Sequence, residues 1–399
     1  MAAVTPVNNS LRVLAATSAL VLLHAGSAYA VDGNVVAARL KSVYAEQGGV
    51  IEYSNVETNG STVILKDTKM SSVGMDDKFN AGDITLSDVT DVSGGGFKIG
   101  ALAIPDIEHT TPGEHPSKIA IEGIKLEDIT LPAEGSTEPF AKILQYERAE
   151  IAHVSVNADG KDFFTADRIT ATISPLVEKE PIAFTTIIDT FKLDLTDVSD
   201  PKAKDALKTM GYETISGKVD LGGTWNMADG RLNIEKMDYI VDNGGTLGVK
   251  LDISGYTLDF VKSIQEASKN AEGKPDDAQA MAMMGLMQQL NFNNASIRFD
   301  DNSVTGKALD YVAKQQNAKR SDLVNQAKAI LPMAAAQLGD AEFAQAVGTA
   351  VSAYLDDPKN IEIKAAPAKP VPFAILAAAG MADPKSLIKT LSVTVDANK

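Results

Sequence analysis

The sequence predicts an α+β fold, in which a long, curved antiparallel β-sheet carries helices on its apolar face and leads into a mainly helical C-terminal region. Three observations support this prediction. From residue 50 to about residue 254, apolar and polar residues alternate with the period of two that is typical of half-buried strands. Turn dipeptides interrupt this alternation, and beyond Tyr256 the apolar spacing becomes helical. The chain is therefore divided into a leader, 1–30, a β region, 31–255, and a helix-rich region, 256–399, that packs back on the sheet.

The leader has the pattern of a signal peptide. Arg12 supplies a positive charge, an apolar run follows at 13–25, and Ala28-Tyr29-Ala30 forms a small-x-small cleavage site. The apolar run is shorter than the ~20 residues of a membrane-spanning helix. We expect cleavage after Ala30 and a mature chain without a transmembrane segment; the alternative is a leader retained as an anchor.

A helix is expected at 32–46, before the strands begin. Its apolar stripe consists of Val35, Leu40, Val43 and Tyr44. Hairpins then follow, because Asn-Gly and Asp-Gly pairs suit type I′ turns. The turn signals are Asn59-Gly60, Gly94-Gly95-Gly96, Asp159-Gly160, Asp229-Gly230 and Asn243-Gly244.

One short sequence motif recurs along the β region, as ITLSDVT, IKLEDIT and KLDLTDV. In the second copy, Leu126 and Ile129 fall on opposite parities of the strand. A β-bulge or a sharp bend between them would return both to one face. The same change of parity occurs between Leu86 and Val89 and between Leu193 and Val198, so the sheet is expected to bend repeatedly.

The strand pattern is clearest at 246–254. Leu247, Val249, Leu251 and Ile253 point to one side and polar residues to the other. This is the pattern of an antiparallel sheet that is dry on one face and solvated on the other.

Helices are expected at 199–212 and then throughout the last third of the chain. Their predicted ranges are 258–270, 276–290, 304–316, 321–338, 341–355, 373–379 and 384–390, with strands at 295–300, 361–364 and 391–396. The helix at 276–290 carries Met281, Met284 and Met287 in one sector, and methionine gives an adaptable apolar surface. Together with Leu247, Val249 and Leu251, these methionines are the candidate residues for binding a hydrophobic ligand. The plainer alternative is that they fill gaps between sheet and helix.

Residues that could carry chemistry are few. His109 and His115 lie in a Pro-rich loop at 105–118, but their spacing is not a known metal-ligand pattern. His153 is expected to be an ordinary strand residue. With neither a nucleophile elbow nor a phosphate-binding loop, the sequence predicts no catalytic residues, no metal and no cofactor. A carboxylate-based hydrolase is the least favoured alternative.

Charge and cysteine content narrow the class of protein. The formal net charge is -16, which disfavours binding to nucleic acid and electrostatic attachment to anionic lipid. The chain has no cysteine. For an exported chain long enough to bury a core without disulfides, this favours a bacterial periplasm.

The repeated strands, together with the stretch DGRLNIEKMDYIVDNGGTLGVKLDISGY, resemble AsmA-like bacterial envelope proteins over about residues 50–255. The resemblance implies a long curled sheet with an apolar inner face and a role in lipid homeostasis. Such proteins usually keep a membrane anchor, and the region 256–390 has no counterpart in the resemblance.

Two functions follow as expectations. The first is a non-catalytic periplasmic protein that binds a lipid or another apolar molecule in envelope maintenance. The second is a structural or protein-interaction protein of the envelope whose core is fully self-buried.

Overall fold

The structure is a computed structural model that describes residues 31–46, 48–72, 79–92, 94–110, 116–136, 144–158, 160–177, 180–269 and 284–399. The predicted signal peptide at 1–30 lies outside these residues. Within them, nineteen strands form one open, antiparallel sheet, and helices are concentrated after residue 300. The α+β prediction is confirmed.

The strands follow the alternation of the sequence. They are β1 Gly49–Glu52, β2 Asn55–Asn59, β3 Thr62–Ser72, β4 Phe79–Ser87, β5 Thr90–Val92, β6 Gly96–Ile104, β7 Ile107–Thr110, β8 Ser117–Glu122, β9 Ile124–Leu131, β10 Arg148–Ala158, β11 Lys161–Ile173, β12 Ile182–Asp194, β13 Thr214–Asn226, β14 Arg231–Val241, β15 Gly245–Ser254, β16 Asn291–Asp301, β17 Asn360–Ala365, β18 Val371–Pro372 and β19 Val393–Ala397.

The helices match the predicted segments closely. They are α1 Gly33–Glu46, α2 Pro201–Met210, α3 Leu258–Lys269, α4 Val304–Gln315, α5 Arg320–Ala336, α6 Ala341–Asp356, α7 Phe373–Ala382 and α8 Ser386–Thr390. Of the predicted methionine helix, the described part is a helical turn at 284–287.

Strand pairing follows chain order for most of the sheet. From β10 to β17 each strand pairs with the next in the sequence, and β19 then pairs with β17. At the other end, β3, β4, β6 and β9 continue the sheet to β10. The result is a long meander of hairpins.

The N-terminal end of the sheet holds the main core. Helix α1 lies on β1, β2 and β3, and buries Val36, Leu40 and Val43 against the apolar face. The strands contribute fully buried side chains, namely Leu65, Ile84, Leu86, Ile99, Ile129 and Leu131. The predicted stripe of α1 is corrected at one position, because Val36 is buried whereas Val35 is exposed.

Two of the three recurring motifs have a left-handed residue at the predicted change of face. Asp88 and Asp128 have φ of 55° and 52°, and pairing with β6 keeps the same register on both sides of each, so the backbone turns there without an inserted residue. Leu126 and Ile129 consequently lie on the same face, opposite Leu102 and Ile99 of β6. The bend predicted in the third motif, between Leu193 and Val198, is wrong. Strand β12 ends at Asp194, and a turn leads from there into α2.

The predicted loop at 105–118 is also corrected, since it contains β7, which pairs with β8. His109 lies in β7 opposite Ile119, and its ring meets Phe79 edge-on at 5.2 Å between centroids. His115 lies outside the described residues.

The C-terminal helices pack at the far end of the sheet. Helix α6 lies against β19, β17 and α5, and α8 lies against β19 and α7. Asp340 begins α6 by accepting a hydrogen bond from the Phe343 N–H at 2.9 Å. This bond, with a smaller contribution from Lys389, lowers the pKa of Asp340. The helical region thus contacts the sheet through α6 and α8.

Candidate functional site

The apolar face of β14, β15, β16 and β17 is the candidate site. Directly opposed residues of antiparallel strands share a face. One row across these strands consists of Tyr239, Leu247, Phe299 and Ile361, and the next of Val249, Ile297, Ile363 and, in β19, Val395. The pairing therefore aligns apolar side chains from separate strands into continuous rows.

Four of the eight residues in these rows are exposed to solvent, and the other four are half-buried. The exposed fractions are 43% for Tyr239, 40% for Leu247, 52% for Ile297 and 50% for Ile363. All four lie on neighbouring strands, so they form one patch and are not scattered single residues. Contiguous exposed apolar patches of this kind mark surfaces that bind a partner or a ligand.

The width of the patch follows from strand spacing. Neighbouring strands lie about 4.8 Å apart, so the three intervals from β14 to β17 span about 14 Å. This length is close to half of the ~30 Å hydrocarbon core of a bilayer. Half-buried apolar residues extend the first row further, through Val219 of β13 and Ile188 of β12.

Phenylalanine rings lie against glycines on this face instead of standing away from it. The ring of Phe184 is so close to Gly223 that a Cβ built there would be 2.8 Å from its tip, and Phe299 approaches Gly245 equally closely. The backbone of the next strand also lies within 2.6 Å of both Cβ positions. Because only glycine fits there, the rings can rest against the backbone of the sheet.

The opposite face of the same strands is polar and laced with ion pairs. Arg298 contacts Asp300 at 2.7 Å and Glu362 at 4.0 Å, and Lys236 pairs with Asp220. The sheet thus separates an apolar side from a charged side over its whole middle section.

Asp252 is the buried centre of this polar face. Both carboxylate oxygens accept from Arg231, at 3.1 and 2.7 Å, and further bonds come from Asn293 and Asn294 at 2.9 and 3.1 Å. Burial alone would raise the pKa of Asp252, but these hydrogen bonds outweigh it, and the pKa is lowered from 3.8. The charged carboxylate therefore ties β14, β15 and β16 together.

The structure brings together the three strand residues predicted to bind a ligand. Leu247, Val249 and Leu251 share the apolar face of β15, with Leu247 exposed and the other two half-buried. Met284 is exposed and Met287 half-buried in the helical turn before β16. Met281 lies outside the described residues. The role of all six in binding stays a prediction.

Sequence reasoning missed Tyr239, Ile297 and Ile363. A usable signal was present, because Ala295, Ile297 and Phe299 alternate with polar residues just as β15 does. The alternation does not predict which strands pair with each other. The alignment of these residues into one patch was therefore not predictable.

A polar pocket beside α4 is relevant to the alternative that the protein is a hydrolase. It has a volume of about 390 Å³ and is lined by Tyr212, Ser303 and Lys307 among others. Lys307 Nζ lies 4.1 Å from the centroid of the Tyr212 ring, and the Tyr212 hydroxyl donates to the Asn243 carbonyl at 2.7 Å. These groups are engaged in fastening α4 to the β14–β15 turn, which is a structural arrangement.

His153 lies in β10, as predicted, opposite Asp167, whose carboxylate is 2.7 Å from its Nδ1. Among the described residues, no group of three or more acidic, histidine or cysteine side chains is placed to hold a metal ion. In the same part of the chain, no helix combines the length and the apolar character needed to cross a bilayer.

Comparison with known proteins adds one match. A protein-family model described as "Uncharacterized protein" matches residues 238–398, which is less than half of the chain. The matched segment contains Tyr239, Leu247, Ile297 and Ile363, so the exposed patch lies within it. No curated protein matches the chain.

Proposed function

We propose that this chain is an exported, non-catalytic protein of the bacterial envelope that binds the acyl chain of a lipid along the apolar face of β14–β17. The observation that carries the proposal is the solvent-exposed patch formed by Tyr239, Leu247, Ile297 and Ile363. An alkyl chain lying across the strands covers these side chains without needing a polar partner from the protein.

The energy available is adequate for specific binding. Burying a methylene group contributes about 0.8 kcal/mol. About ten methylenes on the patch would give ~8 kcal/mol before the cost of immobilising the chain, which corresponds at best to a micromolar dissociation constant. Such an affinity suits a protein that holds a lipid and releases it again.

Two further lines support the proposal. The N-terminal leader has the composition of an export signal, which would bring the protein to the compartment where envelope lipids are handled. The repeated strands resemble those of AsmA-like proteins, for which a curled sheet and lipid homeostasis are the implied properties. The acidic overall charge has no part in this binding, because the contact is apolar.

The test is a binding measurement with a fluorescent fatty acid, together with mass spectrometry of lipid extracted from protein purified from the periplasm. Two variants place a charge on the patch, Ile297→Lys and Ile363→Lys. We expect each to weaken probe binding at least tenfold, because a lysine among apolar groups must keep its ammonium hydrated.

The matched control is Thr246→Lys, which adds the same charge to the opposite face of β15. It should bind the probe like the unaltered protein, and circular dichroism should show all three variants folded. A purified protein that carries no lipid and binds no probe would refute the proposal. Co-purification of a stoichiometric protein in place of lipid would favour the alternative role in envelope structure.

A further inference from the structure

Helix α7 is the one segment among the described helices composed entirely of apolar residues and glycine. Its sequence is FAILAAAGMA, and none of its residues is buried. A helix that is apolar on all sides normally belongs in a protein core or a membrane. Here one side packs on β18 and α8, and the other is open.

The open side forms a regular stripe. Ile375, Ala378, Met381 and Ala382 are exposed, at the spacing that places residues on one face of a helix. Ile375 is 52% exposed and Met381 is 72% exposed. The stripe is therefore an unpartnered apolar surface, distinct from the patch on β14–β17.

The charge around this stripe is opposite to that of the protein. Between residues 364 and 389 the sequence contains four lysines and one aspartate, a net charge of +3, whereas the whole chain carries -16. Lys364, Lys369, Lys385 and Lys389 are all exposed. In the sequence, lysines thus lie on both sides of the helix that carries the apolar stripe.

We propose that α7 and its flanking lysines dock on the surface of an anionic phospholipid membrane. The stripe would enter the boundary between headgroups and acyl chains, and Lys364, Lys369 and Lys385 would pair with lipid phosphates, whereas Lys389 lies 3.4 Å from Asp340. Each lysine near an anionic surface strengthens binding about fivefold. This proposal departs from the expectation, based on net charge alone, that anionic lipid is disfavoured.

A protein partner fits this surface less well. A helix of ten residues is about 15 Å long and 10 Å wide, and so offers on the order of 150 Å². A stable protein interface needs about 800 Å² from each partner and is poor in lysine at its centre. A lipid surface has no such minimum, because apolar insertion and headgroup pairing add to each other.

Helix α7 begins next to the apolar face of the sheet. Its first residue, Phe373, meets Phe292 of β16 edge-on at 6.4 Å between ring centroids. Phe292 lies opposite Ile253 in the apolar face of β15. The docking surface is therefore continuous with one end of the apolar face, although membrane docking does not depend on that face binding a lipid.

The experiment is co-sedimentation of the full mature chain with vesicles of phosphatidylglycerol and phosphatidylcholine in equal amounts, and with vesicles of phosphatidylcholine alone. We expect binding to the first, much weaker binding to the second, and release at high salt, because salt screens the lysine–phosphate pairs. Ile375→Glu and Met381→Glu should reduce binding at least tenfold, and Lys369→Ala about fivefold.

Val312→Glu is the matched control, because it places the same charge on an exposed apolar position of α4. It should bind vesicles as the unaltered chain does. Absence of vesicle binding, or equal losses in Val312→Glu and Ile375→Glu, would overturn the proposal. A dimer in sedimentation velocity that Met381→Glu dissociates would also overturn it, because the stripe would then belong to a second copy. The fatty-acid assay is read separately, so either proposal can fail alone.

Discussion

The two ends of this sheet use the same sequence pattern for opposite outcomes. In β3, β6 and β9, alternating aliphatic residues such as Leu65, Ile99 and Leu131 are fully buried, under α1 and against one another. In β15, β16 and β17 the same alternation leaves Leu247, Ile297 and Ile363 exposed. The difference lies in what covers the face, not in the strands themselves.

This comparison shows that burial in a curved sheet is set by neighbouring elements. An apolar face is stabilising only to the extent that water is removed from it. At the covered end the chain supplies its own cover, and at the open end the surface is left available. We therefore expect the covered end to determine stability and the open end to determine binding.

The largest effect should come from truncation in the covered end. Leu131→Ala removes a fully buried side chain and leaves a cavity, so the free energy of unfolding should fall by about 2–5 kcal/mol. Ile297→Ala should cost less than about 1 kcal/mol, because its side chain is already half in water. Denaturation by urea measures the free energy of unfolding of both variants. Equal losses would contradict the proposed difference between the covered and the open end of the sheet.

A second prediction concerns the polar side of the open end. Asp252→Asn removes the charge that holds Arg231 and two asparagines, and we expect a loss of about 1–3 kcal/mol. Chemical denaturation at neutral pH measures this loss. A loss close to zero would mean that β14–β16 are not held together from their polar face.

The pH dependence sharpens this second prediction. The pKa of Asp252 is lower in the folded protein than its ordinary 3.8, so its stabilising contribution is complete above that value and is lost as the pH falls through the folded pKa. The difference in unfolding free energy between the unaltered protein and Asp252→Asn should thus be constant near neutrality and shrink below about pH 4. A difference that grows on acidification would contradict this assignment.

A third, smaller effect is expected at the left-handed residues in the strands of the covered end. Asp128 is exposed and left-handed, so Asp128→Val should destabilise by about 1–2 kcal/mol, because a β-branched residue resists positive φ. Asp128→Gly is the matched control and should be close to neutral. Thermal unfolding distinguishes the two, and equal stability would argue against a conformational role for Asp128.

The smallest effect should be that of a polar substitution on the open patch. Ile363→Thr keeps the β-branched shape in a strand, and the change in unfolding free energy should stay within about 0.5 kcal/mol. If the fold is instead strongly destabilised in calorimetry, Ile363 belongs to a covered core and the proposed binding face is wrong.

Much of the fold is predictable from the sequence, because alternation, turn dipeptides and changes of parity are local signals. The strand at 246–254 and the changes of face between Leu86 and Val89 and between Leu126 and Ile129 are predictable for this reason. The turn after Asp194 was missed, because the end of a strand and a bend within a strand both interrupt the alternation of apolar and polar residues. Exposure at Ile297 and Ile363 was not predictable, since it depends on where helices distant in sequence come to rest.

Chain-order pairing from β10 to β17 has a consequence for how such proteins can vary. Each of these strands contacts its sequence neighbours, so inserting or deleting a complete hairpin would shift the register of no other strand. Every added hairpin would widen the sheet by roughly 10 Å. Evolution could thereby adjust the reach of this architecture in steps of a single hairpin, with both ends left as they are.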